Sequence, residues 1–182
     1  MNTTIENIVK QDSEFSESRF KSIVENEFVQ IMLSVMTGKT ERIKHFVSDS
    51  VYQNIVAKVE DDKRNNRIQM YDELNVSNVK ILMVQELDDC FQIDVIVHSK
   101  ALEYYINRAT RKFLSGNNKY RTERDNVLVF KKPKDNKALG NVRKCSSCGA
   151  NLDINKSGKC PYCGSIFALE KYDWTITKLN IK

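Results

Sequence analysis

The sequence contains no long hydrophobic run. No segment approaches the ~20 consecutive apolar residues that a helix needs to cross a membrane. The first residues, MNTTIENIVKQD, have no basic region followed by an apolar stretch, so we expect no signal peptide. With 182 residues, of which 41% are hydrophobic, the chain suits one domain, or one domain and a small module. We expect a cytoplasmic protein, with a peripheral position at the inner face of the membrane as the alternative.

The familiar catalytic motifs are absent as well. The sequence has no phosphate-binding glycine loop and no GxGxxG, GxSxG or HExxH pattern. His45 and His98 fall on different predicted elements without spaced partners, and Cys90 lies in an apolar stretch typical of a core. We therefore predict that the protein is not an enzyme. In the enzyme alternative, Asp94 and Glu103 would face inward as acid–base groups with shifted pKa values.

Acidic residues are scarce in one segment of the chain. Residues 108–144 carry 12 basic and 3 acidic side chains, a net charge of +9, whereas residues 1–107 have a net charge of −6. Such a concentration favours anionic partners, and the simpler interpretation is a solvated hairpin whose charge keeps the protein soluble. The candidate anion-binding or partner-binding residues are Arg108, Arg111, Lys112, Lys119, Arg121, Arg124, Lys131 and Lys132.

Hydrophobic residues recur with helical spacing in the first third of the chain. The stretch FSESRFKSIVENEFVQIMLSVMTG has one apolar stripe, formed by Phe20, Val24, Phe28, Ile31 and Val35. Ser16 is the predicted N-cap, and Phe15 is expected to pack against Phe20 as a hydrophobic staple. Gly38 is the predicted end of this helix.

A second helix is predicted from Thr40. Ile43, Phe46 and Val47 would share one face of it. Ser48 is expected to break this helix and to cap its continuation, which has apolar residues at Val51, Ile55, Val56 and Val59. The following stretch, EDDKRNNR, is predicted as a solvated turn or loop that ends the helical half.

The remaining pattern has a period of two, which is typical of strands. Strands are predicted in NVSNVKILMVQE, DCFQIDVIVHS, ALEYYI, RTERDNVLVF and YDWTITKLNI, with LDD as a hairpin turn and TRKFLSGNNK as a loop. The predicted inward-facing sets are Val79, Ile81 and Met83; Phe91, Ile93, Val95 and Val97; and Trp174 and Ile176. Helices followed by antiparallel strands define an α+β fold, in which the helices lie across one face of the sheet.

Four of the five cysteines form the pattern C-x2-C-x11-C-x2-C, at Cys145, Cys148, Cys160 and Cys163. Each pair is followed by a glycine, Gly149 or Gly164, which permits the positive φ that a metal-binding turn needs. The sequence therefore predicts a zinc ribbon with one Zn²⁺, and its eleven intervening residues are enough for a short hairpin. Four thiolates leave no open coordination position, so the predicted zinc is structural. Iron bound in a rubredoxin-like way is a minor alternative.

Several of these segments together resemble the Tim-forty-four-like (Tim44-like) domain family, named for a peripheral subunit of the mitochondrial inner-membrane translocase. QDSEFSESRFKSIVENEFVQIMLSVMTGKTERIKHFVSDSVYQNI resembles its two helices, and KALEYYINRATRKFLSGNNKYRTERDNVLVFKK resembles its central hairpin. The closing stretch, with CSSCGA, CPYCGS and YDWTITKL, is similar to bacterial members that carry a zinc ribbon before the last strand. The resemblance covers nearly the whole chain.

The resemblance implies a cystatin-like or nuclear-transport-factor-two-like fold, in which helices pack on a curved antiparallel sheet and leave an apolar groove. It also implies a non-enzymatic protein that associates with membranes or with protein partners, and bacterial members are described as lipid-binding transport proteins. The implied domain comprises residues 1–131 and 172–182, with a linker and the zinc ribbon inserted at 132–171. Many relatives carry a transmembrane or lipoprotein anchor, and none is visible in this sequence.

The leading hypothesis is a non-enzymatic binding or scaffold domain with a structural zinc. Its expected partners are a protein or an anionic membrane surface, together with an apolar ligand in the groove. A nucleic-acid-binding zinc-ribbon protein is the alternative, although the aromatic residues near the basic run are not arranged as a stacking platform. The oligomeric state is left open.

Overall fold

The computed structural model describes residues 5–13, 15–134, 142–144, 151–153, 160, 162–164 and 174–180. Three α-helices come first in the chain: α1 at Ile5–Gln11, α2 at Glu17–Thr37 and α3 at Asp49–Arg64. The strands follow: β1 at Arg67–Glu86, β2 at Cys90–Asn107, β3 at Phe113–Pro133, β4 at Val142–Lys144, β5 at Asn151–Asp153 and β6 at Thr175–Asn180. The predicted α+β class is confirmed, with helices packed on an antiparallel sheet.

Helix α2 begins and ends at the predicted residues. The Ser16 hydroxyl accepts a hydrogen bond from the backbone N–H of Arg19 at 3.4 Å, which pairs one of the free donors of the first turn. Gly38 adopts a left-handed φ of 72° and ends the helix. The rings of Phe15 and Phe20 lie 5.7 Å apart, so the predicted staple is confirmed.

The second predicted helix is only partly correct. Thr40 begins a single 3₁₀ turn, Thr40–Ile43, rather than an α-helix, and the chain then turns before Ser48 caps α3 as predicted. The turn or loop predicted at EDDKRNNR is confined to Asn65 and Asn66, because α3 continues to Arg64. The carboxylate of Asp62 stabilises this additional turn, because it pairs with Lys58 one turn earlier at 2.9 Å and with Arg67 of β1 at 2.7 Å. Helix α1 was not predicted.

The main sheet has the strand order β1-β2-β3-β6, and every neighbouring pair is antiparallel. The predicted hairpin turn between β1 and β2 is confirmed at residues 87–89. The prediction of a loop at TRKFLSGNNK is correct only for residues 110–112, because β3 already begins at Phe113, which pairs with Ile106 of β2. Only residues 108–112 connect these two strands. The β2–β3 hairpin is therefore longer than its hydrophobic pattern indicates.

The helix-facing side of the sheet forms the core. Phe91, Ile93, Val95 and Val97 of β2 are buried there as predicted. The prediction for β1 fails at Met83, which is 36% exposed, while Val84 is buried in its place. A register shift between Ile81 and Met83 inserts Leu82 as an extra residue, and a one-residue shift reverses which side chains face the core.

Strand β6 is the last strand of the main sheet, beside β3. Its first residue, Thr175, pairs with Lys131 near the end of β3, so the chain leaves and rejoins the sheet at the same end. On its other side, Ile176 exchanges backbone hydrogen bonds with Phe46 and Ser48, both 2.9 Å long. Trp174 and Ile176 are buried. The predicted domain division and the ribbon insertion stay predictions.

Candidate functional site

The far end of the β2–β3 hairpin is a rigid turn at residues 108–112. The side-chain carbonyl of Asn107 accepts hydrogen bonds from the backbone N–H groups of Ala109 and Thr110 at 3.0 and 2.9 Å. Its own backbone N–H donates to the carbonyl of Lys112 at 2.8 Å, and Arg111 adopts a positive φ of 61°. The Asn107 side chain thus accepts hydrogen bonds that a backbone carbonyl would otherwise accept, and these bonds define the shape of the turn.

A protrusion on β3 lies beside this turn. Ala101 pairs with Thr122 and Glu103 pairs with Asn117, so residues 118–121 stand opposite a single residue of β2. The side-chain carbonyl of Asn117 accepts from the backbone N–H groups of Lys119 and Tyr120 at 3.1 and 2.9 Å. Residues 118–121 therefore project from the sheet as an extended bulge with a fixed base.

Gly116 is required because the backbone of β2 lies close to it. Its φ is 97°, and a Cβ atom on it would lie 2.5 Å from the backbone oxygen of Glu103 and 2.6 Å from the Cα of Tyr104. No side chain fits between those backbone atoms. The glycine in LSGNN therefore permits the pairing that holds the protrusion in place.

All fourteen residues from 108 to 121 are exposed, and we call them the basic tip. They include five basic residues and no acidic residue: Arg108, Arg111, Lys112, Lys119 and Arg121. Three large apolar or aromatic side chains are exposed among them: Phe113 and Leu114, each 48% exposed, and Tyr120, 74% exposed. Consecutive side chains of a strand point to opposite faces, so both faces of the hairpin are open at the tip.

Most of the positive charge in the tip is available to a partner. Arg121 makes one long ion pair with Glu73, at 3.7 Å between side chains that are both about half exposed. A guanidinium nitrogen of Arg108 lies 3.5 Å from a backbone oxygen of Arg67. Among the described residues, no ion pair is found for Arg111, Lys112 or Lys119. Exposed pairs of this kind contribute little, so the tip retains a positive potential.

The other three candidate residues lie outside the basic tip. Arg124 makes three hydrogen bonds to Glu103 in the middle of the sheet. Lys132 pairs with Asp12 at 2.7 Å, with both side chains 13% exposed, and so connects the end of β3 to the segment between α1 and α2. At about 3.3 Å per residue, Lys131 and Lys132 lie roughly 30 Å along β3 from the tip. The structure thus brings five of the eight candidates together.

The two carboxylates of the enzyme alternative lie on opposite faces of the sheet. Glu103 is on the helix-facing side with Arg124, whereas Asp94 lies between the buried Ile93 and Val95 and so faces away. Asp94 accepts a hydrogen bond from the Gln92 side chain at 2.8 Å. The two groups therefore do not form a common acid–base site.

A polar cluster on the helix-facing side of the sheet was not predicted. Asn126 is buried and donates from its side chain to the Ser99 hydroxyl at 3.0 Å and to the Val97 carbonyl at 3.3 Å. Tyr71 of β1 pairs with Glu103 further along the sheet, and burial, followed by the negative charge of Glu103, raises the pKa of the Tyr71 hydroxyl. The inward-facing residues of β2 alternate, and continuing that alternation beyond Val97 places Ser99 on the helix-facing side. The sequence pattern could therefore have predicted the position of Ser99.

The second cysteine pair lies in a turn that Gly164 closes. The backbone N–H of Gly164 donates to the carbonyl of Cys160 at 2.9 Å, and Gly164 has a φ of 71°, as predicted. Cys160 is buried and Cys163 is exposed. Strands β4 and β5 form a separate two-stranded sheet, in which Val142 pairs with Asp153 and Lys144 pairs with Asn151.

Cys145, Cys148 and Gly149 lie outside the described residues. Within the described part of the chain, no group of three or more histidine, cysteine or acidic side chains is arranged to hold a metal. That part contains two of the four predicted ligands. The positive φ of Gly164 agrees with the turn that a zinc ribbon needs after its second cysteine pair, and the zinc ribbon stays a prediction.

A four-stranded antiparallel sheet covered by helices on one face, with an exposed, basic and partly apolar hairpin end, defines a domain of the α+β class. The chain belongs to the Tim44-like domain family, whose sequence model matches residues 1–141. Domains of this family are scaffolds associated with membranes and with other proteins. A comparison with curated proteins found no match. None of the described helices is long and apolar enough to cross a membrane.

Proposed function

We propose that this protein is a non-enzymatic scaffold domain that docks on an anionic lipid surface through the basic tip. One observation carries the proposal: fourteen consecutive exposed residues contain five basic and no acidic side chains. Each basic residue near an anionic membrane contributes about 1 kcal/mol, so five of them suffice for reversible association. The membership of a membrane-associated scaffold family supports the same role.

The cysteine segment serves as a structural module in this proposal. Cys145, Cys148, Cys160 and Cys163 would hold one Zn²⁺, which supplies the folding free energy that so small a module lacks. Both ends of the segment attach to the sheet beside Lys131, at the end of β3 remote from the tip. The apolar groove implied by the family resemblance would bind a lipid or a protein segment. Docking through the basic tip does not depend on this groove.

Co-sedimentation with vesicles tests the docking. Wild-type protein is compared on phosphatidylcholine vesicles and on vesicles that contain phosphatidylglycerol, and we expect binding to the second kind alone. The triple variant Arg111→Gln, Lys112→Gln, Lys119→Gln should bind roughly 100-fold more weakly, from about 1 kcal/mol per charge.

The matched control is the triple variant Lys10→Gln, Lys80→Gln, Lys178→Gln. These three lysines are also exposed and lie outside the tip. Their substitution removes the same charge as the tip variant, so vesicle binding should stay near the wild-type level. Equal losses in both triple variants would show that net charge alone drives binding. Tight, salt-sensitive binding to an oligonucleotide, without binding to anionic vesicles, would favour the nucleic-acid alternative.

A further inference from the structure

We infer that the basic tip does not merely rest on an anionic bilayer but inserts Phe113, Leu114 and Tyr120 into its interfacial region. This inference rests on the proposed docking and specifies its geometry. The three side chains are 48%, 48% and 74% exposed, and among the described residues only five large hydrophobic side chains are exposed by 48% or more. Their concentration within the fourteen-residue tip distinguishes it from the rest of the surface.

Insertion end-on follows from the openness of the tip on both faces. Phe113 and Leu114 are neighbours in a strand and point to opposite sides, yet they are equally exposed. Elsewhere in the sheet one side is covered by helices, as the burial of Val95 and Val97 shows. A surface that lay flat on a membrane would use one face, whereas an end that enters the membrane uses both.

The charges of the tip are suited to the same position. Long lysine and arginine side chains can extend to lipid phosphates while their methylene groups cover apolar surface. Tyrosine is enriched at the level of the headgroups, where its ring is buried and its hydroxyl stays hydrated. Tyr120 lies directly between Lys119 and Arg121 on the protrusion, so the basic and aromatic side chains reach the interface together.

The protrusion is held before any lipid is present, which lowers the entropic cost of binding. The Asn117 side chain accepts two backbone hydrogen bonds at its base, and the Asn107 side chain accepts two more in the adjacent turn. In this orientation the strands stand on the membrane. The end of β3 near Lys131, where the chain leaves for the cysteine segment, then points away from the bilayer.

Tryptophan substitutions combined with a lipid-phase quencher test the insertion. Leu114→Trp and Tyr120→Trp place a fluorophore in the tip, and Leu82→Trp is the control. Leu82 is 50% exposed and lies about 40 Å along β1 from Met70, the residue that pairs with Tyr104 beside the tip. The only native tryptophan, Trp174, is buried and common to all variants.

With phosphatidylglycerol vesicles that contain brominated acyl chains, we expect quenching of the two tip tryptophans and none of the control. Leu114→Ser and Tyr120→Ser should each weaken partitioning by about tenfold, whereas Leu82→Ser should not change it. Circular dichroism confirms that each variant is folded.

Two outcomes overturn the inference in distinguishable ways. If the variants co-sediment but the tip tryptophans are not quenched, binding is electrostatic only, and the proposed docking stands without insertion. If the wild-type protein does not bind anionic vesicles at all, the proposed docking is wrong, and the insertion that rests on it is wrong as well.

Discussion

Arg124 and Glu103 form a fork-shaped ion pair between strands β2 and β3. The guanidinium donates to the carboxylate through Nε at 3.1 and 3.2 Å and through Nη2 at 2.9 Å. The Glu103 side chain is 14% exposed and the Arg124 side chain is 40% exposed. A basic residue within the most basic segment of the chain is thus engaged within the protein.

The first prediction separates this structural arginine from the tip. Arg124→Met should lower the free energy of unfolding by about 1–2 kcal/mol, because Glu103 loses three charge-assisted hydrogen bonds while largely buried. Urea unfolding measures this change. The control, Lys119→Met, should leave stability unchanged and weaken vesicle binding. If Arg124→Met weakened vesicle binding as strongly as Lys119→Met, the docking surface would extend beyond the tip.

The second prediction contrasts two glycines of positive φ. Gly38→Ala should cost about 1–2 kcal/mol of stability from backbone strain alone, because its Cβ would meet only side-chain atoms at 3.7 Å or more. Gly116→Ala adds a clash with backbone atoms at 2.5 and 2.6 Å, so it should cost more and displace the tip. Denaturant unfolding gives the two values. Equal costs would show that β3 shifts freely at this point.

The third prediction concerns pH. Burial lowers the pKa of His45 from its ordinary value of 6.5, and its ring packs edge-on against Phe46. Below pH 6.5 the unfolded chain takes up a proton that the folded chain resists, so this group reduces stability as the pH falls. His45→Asn should therefore flatten the dependence of unfolding free energy on pH between 5 and 7. Parallel curves for variant and wild type would show that partial burial does not shift the pKa of this imidazole.

The fourth prediction addresses the proposed metal. Purified protein should contain one zinc per chain by elemental analysis, and Cys148→Ser should release it. Helix α2 and helix α3 pack on the main sheet, so most of the helical circular dichroism should survive this change. Cys90→Ser, at a buried cysteine outside the C-x2-C pairs, is the control and should keep its zinc. Loss of all helical signal on chelation would mean that the metal holds the entire fold.

Local chemistry explains which parts of the fold could be predicted. Ser16, Gly38 and Ser48 define helix ends through bonds to backbone atoms within three or four residues, so nearby sequence is sufficient. The burial of Phe91, Ile93 and Val95 could likewise be predicted from one strand alone, because alternate residues of a strand face the same side. The loop predicted at EDDKRNNR is shorter in the structure, because Asp62 in the last turn of α3 pairs with Arg67 of β1 at 2.7 Å as well as with Lys58.

The candidate site depended on information that a local pattern does not contain. The composition of the sequence already revealed the basic segment. Which of its basic residues are free in the tip and which form ion pairs depends on the acidic residues that the fold brings next to them. Asp12 lies 120 residues before its partner Lys132, and Glu103 lies 21 residues before Arg124. The protrusion at 118–121 exists only because Ala101 pairs with Thr122 while Glu103 pairs with Asn117.

By itself the sequence determined the α+β class, the caps of the two long helices, the inward face of β2 and the excess of positive charge. Each of these follows from the chemistry of neighbouring residues or from residue counts. The tertiary structure alone decided the register of β3 on β2 and therefore where that charge and its aromatic side chains are exposed. The reason is physical: strand register is a relation between distant segments, and a shift of even one residue changes which side chains are buried, paired or free.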